Sequence, residues 1–158
     1  MQIRAAVLTV SDTRTAENDI SGKLLAELLT GIGAEICQTV IVRDEISEIS
    51  REILEFAQRS DVNLILTTGG TGLSPGDVTP EATRAVIDKE IPGIPEAMRL
   101  STLAKTEFAM LSRSVAGICR QTLVINLPGS PKAVKECFDV IRPILSHAVK
   151  IVAGGGHD

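Results

Sequence analysis

The chain has 158 residues, of which 44% are hydrophobic and 23% are charged, and this balance excludes an intrinsically disordered protein. Lysine and arginine number 16 against 20 aspartates and glutamates, so the net charge of −4 has the wrong sign for a surface that binds nucleic-acid phosphates. Aromatic residues make up only 2%, which leaves no stacking platform for single-stranded nucleic acid. We therefore expect one globular domain over residues 1–158 and no nucleic-acid partner.

The cysteine pattern and the hydropathy predict a cytoplasmic protein. The three cysteines, Cys37, Cys119 and Cys137, are widely spaced among apolar residues, so we expect buried free thiols in a reducing compartment. No apolar run approaches the ~20 residues that a membrane-spanning helix needs, and residues 1–10 do not resemble a cleaved signal peptide. The sequence thus predicts no membrane partner.

Short runs of β-branched apolar residues alternate along the chain with segments of helical periodicity. This alternation is typical of an α/β fold, and it predicts a three-layer sandwich in which helices cover both faces of a mostly parallel sheet. Apolar residues at offsets of three and four predict core-facing helices over Leu24–Ile32 and Ile46–Ala57. The predicted strands, in chain order, are Ile3–Val10, Glu35–Val42, Asn63–Thr67 and Thr122–Asn126.

Two residue pairs predict where further helices begin. Thr79 precedes Pro80 and Ser130 precedes Pro131, so each hydroxyl could cap a helix that has proline at its first position. The last of these helices should kink at Pro143, because proline removes a backbone hydrogen bond.

The segment Ile91–Arg120 and the end of the chain have weaker patterns. The segment predicts a short amphipathic helix and two edge strands, over Phe108–Leu111 and Val115–Ile118. Three consecutive glycines near the end are costly to order, so we expect a flexible tail over residues 153–158.

A glycine-rich turn between the third predicted strand and the next helix is the strongest local signal for a binding site. Glycines in such a turn let backbone N–H groups converge on an anion, so the segment could cradle a phosphate. It matches neither a Walker A loop nor a dinucleotide fingerprint, because the lysine and the third glycine of those motifs are absent. The alternative is an ordinary loop without a ligand. The turn contains Thr68, Gly69, Gly70, Thr71 and Gly72.

Two aspartates follow predicted strands at one edge of the sheet. Asp77 has no basic neighbour in sequence, so it would repel a phosphate unless a divalent metal ion bridged the two. Asp44 follows the second strand and could bind the same metal. Each has a second interpretation: Asp77 as a carboxylate that favours a helix terminus, and Asp44 as the N-cap of the helix near Ile46.

Two more loops reach this edge, because the carboxyl ends of parallel strands lie together. Ser11 and Asp12 follow the first strand, and Pro128, Gly129 and Ser130 follow the last. The backbone amides of Gly129 and Ser130 could bind an anion at a helix N-terminus while the Ser130 side chain caps the helix.

The basic residues suggest few alternative chemistries. Arg99 and Arg113 are candidate counter-charges for an anionic substrate, and the alternative for either is a solvated surface residue. The two histidines lack the spacing of a zinc site, and no nucleophile-elbow motif accompanies them, so zinc hydrolysis and a Ser-His-Asp triad are not expected.

Three motifs in combination resemble a known family. They are the glycine-rich turn continued by Asp77–Thr83, the segment Leu111–Ser114, and the segment Ile125–Ala133. On these motifs the chain resembles the molybdopterin adenylyltransferases of molybdenum cofactor biosynthesis, which include the bacterial MogA/MoaB proteins and the G domains of plant Cnx and gephyrin. The resemblance extends from Ser11 to the final helix.

The resemblance implies transfer of AMP from ATP to the terminal phosphate of molybdopterin, with release of pyrophosphate and a requirement for Mg²⁺. It implies that Asp44 and Asp77 are catalytic and hold the metal, and that Thr102 and Ser112 supply hydroxyls toward the pterin. The substrate-binding residues predicted from motifs and resemblance together are Ser11, Asp12, Thr68, Gly69, Gly70, Thr71, Gly72, Arg99, Thr102, Ser112, Pro128, Gly129 and Ser130. Because the family forms trimers and MoaB-type members form hexamers, it also implies a homotrimer or hexamer, which would pass its product to a molybdenum-insertion enzyme.

One position departs from the family pattern. Many active members carry arginine directly before the aspartate of the Asp-Val-Thr-Pro segment, whereas this chain has Gly76, as MoaB-type proteins do. Val78–Pro80 and Leu111–Ser114 are more similar to the active transferases. The prediction is therefore an active enzyme, and the first alternative is a catalytically silent protein that binds or carries molybdopterin. A nucleotide-processing enzyme of the competence-damage type is a third interpretation.

Overall fold

A computed structural model of the chain describes residues 1–156, which form one mixed sheet with helices on both faces. The strands are β1 (Arg4–Val10), β2 (Glu35–Val42), β3 (Leu64–Thr68), β4 (Lys89–Glu90), β5 (Ala116–Cys119) and β6 (Thr122–Leu127). The α-helices are α1 (Ile20–Gly31), α2 (Ile46–Gln58), α3 (Thr79–Arg84), α4 (Gly93–Leu103), α5 (Pro131–Ile141) and α6 (Leu145–Val152).

The strand order is β2-β1-β3-β6-β5-β4. The first four strands in this order are parallel, whereas β5 runs antiparallel to β6 and β4 runs antiparallel to β5. The chain adds β2 on one side of β1 and β3 on the other, so a topological switch point lies between β1 and β3. The predicted three-layer α/β sandwich with a mostly parallel sheet is confirmed.

Two apolar cores lie on opposite faces of the sheet. Side chains alternate along β1, so Ala5 and Val7 join one core while Ala6 and Leu8 join the other. Helices α1, α4, α5 and α6 cover the first face, and α2 and α3 cover the second. The central strands are buried on both faces, which explains why their sequences are almost continuously apolar.

The four strands predicted for the parallel part of the sheet agree with the structure, whereas the prediction for the segment before β5 agrees only in part. Strand β2 matches at both ends, and β1, β3 and β6 match within one residue. The edge strand expected over Phe108–Leu111 is wrong, because Glu107–Leu111 forms a 3-10 helix that the Thr106 hydroxyl begins by accepting from the Phe108 N–H. The expected strand over Val115–Ile118 is β5, but the short β4, which the sequence did not predict, forms the edge beyond it.

The two predicted caps have different outcomes. Ser130 caps α5, since its hydroxyl oxygen accepts from the Ala133 N–H at 3.3 Å. The Thr79 cap is wrong: Val78 holds the N-cap position, and the buried Thr79 hydroxyl donates to the Gly69 carbonyl at 2.9 Å. The kink at Pro143 is confirmed, because a 3-10 turn over Arg142–Ile144 separates α5 from α6.

The predictions for the cysteines and for the end of the chain agree with the structure only in part. Cys119 and Cys137 are buried free thiols as expected, but the expectation is wrong for Cys37, which is only half-buried because it lies on the edge strand β2. In the predicted tail, the N–H groups of residues 153–155 donate to carbonyls of α6, and residues 157–158 lie outside the described residues. Among residues 1–156, none of the helices has the length and apolar character that crossing a membrane requires.

Candidate active site

The loops that follow β2, β1, β3 and β6 lie side by side at the carboxyl edge of the parallel strands. Backbone hydrogen bonds join neighbouring loops: the Ser11 N–H donates to the Val42 carbonyl at 2.9 Å, and the Gly69 N–H donates to the Leu127 carbonyl at 3.2 Å. The sheet topology therefore gathers segments that are more than 100 residues apart in sequence into one site.

A pocket of about 610 Å³ opens between the glycine-rich turn, α4, the 3-10 helix and the beginning of α5. Its volume suits a small-molecule substrate. The predicted residues that line it are Gly70, Thr71, Gly72, Asp77, Arg99, Thr102, Ser112, Pro128, Gly129 and Ser130.

The glycine-rich turn adopts a backbone that side chains would block. Gly69 and Gly70 have φ values of 102° and 69°, in the left-handed region that favours glycine. A Cβ atom on Gly69 would lie 2.4 Å from the Val10 carbonyl oxygen, and one on Gly70 would lie 2.3 Å from the Thr79 hydroxyl oxygen. The turn is thus packed against both β1 and α3.

Asp44 and Asp77 both face this turn, although they come from different loops. A Cβ on Gly70 would lie 3.3 Å from Asp44 Oδ1, and a Cβ on Gly72 would lie 2.9 Å from Asp77 Oδ2. Asp44 is not the helix cap, because Glu45 holds the N-cap position of α2. The Asp77 carboxylate accepts from the Ser74 N–H at 3.1 Å, so it closes the turn that leads into α3.

The Asp44 carboxyl is surrounded by features that disfavour its charged form. Burial raises the pKa of the Asp44 carboxyl, and the nearby charges of Asp12 and Asp77 raise it further. Asp12 also accepts from the Asp44 N–H at 3.0 Å. Over the part of the chain that the structure describes, no salt bridge reaches any of these three carboxylates.

The carboxylates suit a hard cation that takes some ligands from the protein and the others from a substrate. The described residues contain no group of three or more His, Cys, Asp or Glu side chains arranged to hold a metal ion by themselves. Mg²⁺ commonly takes one or two carboxylates and completes its shell with water and substrate phosphates. Asp44 and Asp77, which lie beside the same glycine-rich turn, fit that pattern.

The two candidate arginines have different surroundings. Arg99 lines the pocket and donates to the carbonyls of Ser112 and Ser114 at 3.3 and 3.5 Å. Arg113 is paired with the Glu81 carboxylate at 2.8 Å, so its charge is already neutralised within the protein. Of the two, Arg99 is the one with access to a ligand in the pocket.

Some predicted site residues, Asp44 among them, are not part of the lining of the main pocket. Ser11 and Asp12 line a neighbouring groove of about 600 Å³. Thr68 is buried, and its hydroxyl donates to the Pro128 carbonyl at 2.7 Å, which ties the glycine-rich turn to the loop after β6. Gly69, at the beginning of the turn, packs against the end of β1 at Val10.

The pocket also has an apolar wall, which sequence reasoning missed. Phe108 and Leu111 line it from the 3-10 helix, Met98 lines it from α4, and Leu73 lines it from the turn. Phe108 is 70% exposed, whereas the other two phenylalanines are buried in the cores. An available signal was the run of large apolar residues just before Ser112, since a segment so short cannot bury all of them in a core.

Family comparison supports a relation to molybdenum cofactor proteins. A family model described as "Probable molybdopterin binding domain" matches residues 6–147. The chain is 36% identical to a molybdopterin adenylyltransferase of Helicobacter pylori, over 96% of this chain and 89% of that protein. It is 40% identical to molybdenum cofactor biosynthesis protein B of Bacillus cereus, over 92% of this chain and 88% of that protein.

A longer relative and two solved structures complete the comparison. The chain is 45% identical to the molybdenum cofactor synthesis protein cinnamon of Drosophila melanogaster over 95% of its own length, but it spans only 26% of that protein. A crystal structure of a molybdenum cofactor biosynthesis protein B superposes with a TM-score of 0.93 at 38% identity, over 98% of both chains. CinA from Thermoplasma acidophilum, at 16% identity and a TM-score of 0.63 over 90% of this chain and 97% of that one, shares the fold alone.

Proposed function

The chain belongs to the molybdopterin-binding domain family of molybdenum cofactor biosynthesis, and on that premise we propose that it is a molybdopterin adenylyltransferase. The reaction transfers AMP from ATP to the terminal phosphate of molybdopterin and releases pyrophosphate. The observation that carries the proposal is the placement of the Asp44 and Asp77 carboxylates against one glycine-rich turn, with Asp77 also lining a pocket large enough for a substrate.

Asp44 and Asp77 would hold Mg²⁺ beside the turn. When bound, the ion supplies charge neutralisation for the triphosphate and for the developing negative charge at the reacting phosphorus. The raised pKa of the Asp44 carboxyl beside the charges of Asp12 and Asp77 supports this role, because a bound cation would favour its charged form.

The protein's own contribution is to bind and orient two anionic substrates. Two side chains fix the loop after β6, since the Ser21 hydroxyl and the Arg14 guanidinium both donate to the Gly129 carbonyl, at 2.6 and 3.1 Å. Its backbone lies at the N-terminus of α5, where N–H groups and the helix dipole favour a phosphate. Orientation and electrostatics of this kind supply most of the rate in phosphoryl and nucleotidyl transfer.

The pocket's other side suits the pterin. Arg99, Thr102 and Ser112 offer polar contacts there, while Phe108 and Leu111 offer an apolar surface for a flat heteroaromatic ring. The assignment of these residues to the pterin is part of the proposal.

The first experiment is pyrophosphate release from Mg-ATP by the purified protein, with and without molybdopterin. Asp77→Asn should keep pterin affinity within a few-fold and lower turnover about 100-fold, because the carboxylate acts on the transition state more than on binding. Release that is unchanged in Asp77→Asn would remove Asp77 from the mechanism, and pterin binding without release in the wild type would contradict the transferase.

A second candidate function is that of a silent protein that binds or carries molybdopterin, and Gly76 favours it. Arginine at this position is sterically allowed here, because a Cβ on Gly76 would meet no heavy atom within 4 Å. If the wild type binds pterin but does not turn over, Gly76→Arg should restore release. If the wild type is active, the same change should raise the rate only modestly.

Compartment and assembly belong to the same proposal. The free thiols of Cys119 and Cys137 support a cytoplasmic protein. Leu100 and Met110 are more than 60% exposed, and these apolar side chains support a homotrimer or hexamer. Such an assembly would hand its product to a molybdenum-insertion enzyme. Size-exclusion chromatography with light scattering measures the number of subunits and so tests this assembly.

A further inference from the structure

Arg113 holds both ends of the outer part of the glycine-rich turn. Its Nε donates to the Gly72 carbonyl at 2.8 Å, and one terminal nitrogen donates to the Asp77 carbonyl at 2.7 Å. Its own backbone N–H donates to the Thr71 carbonyl at 2.9 Å. One side chain therefore bridges the beginning and the end of residues 72–77.

Residues 73–76 between these two attachment points are exposed to solvent. The turn has internal bonds, since the Asp77 N–H donates to the Ser74 carbonyl at 2.9 Å and the Ser74 N–H donates to the Asp77 carboxylate at 3.1 Å. These bonds shape the turn but do not join it to the sheet. Arg113, which lies just before β5, supplies such a link and thereby orients the segment that carries Asp77.

Glu81 fixes the guanidinium of Arg113 in this orientation. The other terminal nitrogen donates to both carboxylate oxygens of Glu81, at 3.0 and 2.8 Å. This bonding lowers the pKa of the Glu81 carboxyl and raises the pKa of Arg113, so both stay charged near neutral pH. Because the fork is filled by Glu81 and two carbonyls, Arg113 has little left with which to bind a substrate anion.

We propose that Arg113 is a positioning residue for adenylyl transfer, which sets the place of the Asp77 carboxylate by holding the Gly72 and Asp77 carbonyls, with Glu81 as its anchor. This inference rests on the proposed function, since it assigns Asp77 a role in turnover. Arg113 acts through the turn and does not itself touch the reacting atoms.

The test compares Arg113→Lys and Glu81→Gln with the matched control Arg59→Lys. Lysine keeps the positive charge of Arg113 but loses the planar fork that reaches three acceptors at once. Arg59 makes a similarly exposed two-point pair with Asp61, at 2.9 and 2.8 Å, and does not line the main pocket. For each protein we would measure pyrophosphate release, molybdopterin affinity, and hydrogen exchange of the amides of residues 72–77.

Arg113→Lys should lower kcat about 10-fold or more while the molybdopterin affinity changes less than about 3-fold. The amides of residues 72–77 should exchange about 10-fold faster, while those of β1 and β3 keep their wild-type rates. Glu81→Gln should show the same pattern more weakly, and Arg59→Lys should match the wild type in all three measurements.

Two results would overturn the inference: an unchanged kcat in Arg113→Lys, or a kcat that falls only together with molybdopterin affinity and with faster exchange throughout the sheet. If the wild type itself releases no pyrophosphate, the proposed function fails on its own. Hydrogen exchange then decides whether Arg113 holds the turn, and unchanged rates in residues 72–77 would refute that as well.

Discussion

Asp44 shows how a single residue can be placed at a cost to stability. Burial and two neighbouring carboxylates all disfavour its charged form, and its pKa is therefore raised. A side chain selected for stability alone would not be ionisable at this position. The strain is understandable if the site exists to attract a cation.

This cost gives a prediction about pH. Because the folded protein holds the Asp44 proton more tightly than the unfolded chain, stability falls as pH rises from the unfolded-state pKa through the raised folded value. Asp44→Asn, which cannot ionise, should gain stability relative to the wild type between pH 4 and pH 7, and it should lose most of the turnover. Urea unfolding at several pH values measures the difference in unfolding free energy.

The control for this series is Glu17→Gln, which replaces an exposed carboxyl that lines neither the main pocket nor the neighbouring groove. It should leave the pH dependence of stability unchanged. An Asp44→Asn variant that is no more stable than the wild type at pH 7 would show that the Asp44 carboxylate is not strained.

At the scale of elements, the turn between β3 and α3 is held by the contact of Thr79 with Gly69 and Gly70, which we call the glycine-threonine lock. The Thr79 hydroxyl, which the sequence assigned to a helix cap, instead donates to the Gly69 carbonyl and fills the space above Gly70. The first residue of α3 thus fixes the turn, and α3 begins without a side-chain cap.

This packing predicts that alanine is costly at one glycine of the turn and tolerated at another. Gly70→Ala should destabilise the protein by about 2 kcal/mol or more, because a left-handed backbone is costly for alanine and its methyl group would meet the Thr79 hydroxyl. Gly76→Ala has open space around it and should change the unfolding free energy by less than about 0.5 kcal/mol. Denaturant unfolding measures both, and equal effects would contradict the lock.

At the scale of the whole molecule, Asn126 joins elements from distant parts of the chain. It is fully buried on β6, its amide donates to the Thr67 and Thr83 hydroxyls at 3.0 Å each, and its carbonyl oxygen accepts from the Val115 N–H at 3.1 Å. The Thr83 hydroxyl in turn donates to the Thr79 carbonyl. The site is therefore coupled to the sheet through a continuous hydrogen-bond network.

Asn126→Leu should lower the unfolding free energy by about 3 kcal/mol, since it leaves the buried Val115 N–H without its acceptor and removes the amide donor from the Thr67 and Thr83 hydroxyls. The exposed Gln121→Leu serves as control and should stay within about 0.5 kcal/mol of the wild type. A loss below about 1 kcal/mol in Asn126→Leu would mean that the network relaxes without cost.

Much of this fold could be derived from local patterns. Hydrophobic periodicity predicts β1, β2, β3 and β6 to within one residue, and the rule that parallel strands end at one edge predicts that Asp44 and Asp77 lie together. These predictions worked because each depends on neighbours in sequence or on a general property of parallel sheets.

Pairings between distant segments were decided only by the tertiary structure. The sequence predicts Arg113 as either a counter-charge for a substrate or a solvated surface residue, but its partner is Glu81, 32 residues away in sequence. The Thr79 hydroxyl likewise donates to a carbonyl ten residues before it. The segment Glu107–Leu111 became a 3-10 helix lining the pocket, because its apolar side chains had a pocket to face and no neighbouring strand to pair with. The sequence by itself determined the layers of the molecule and the edge that carries the chemistry, since periodicity is local. The partners of its polar side chains depend on distances that exist only once the chain has folded.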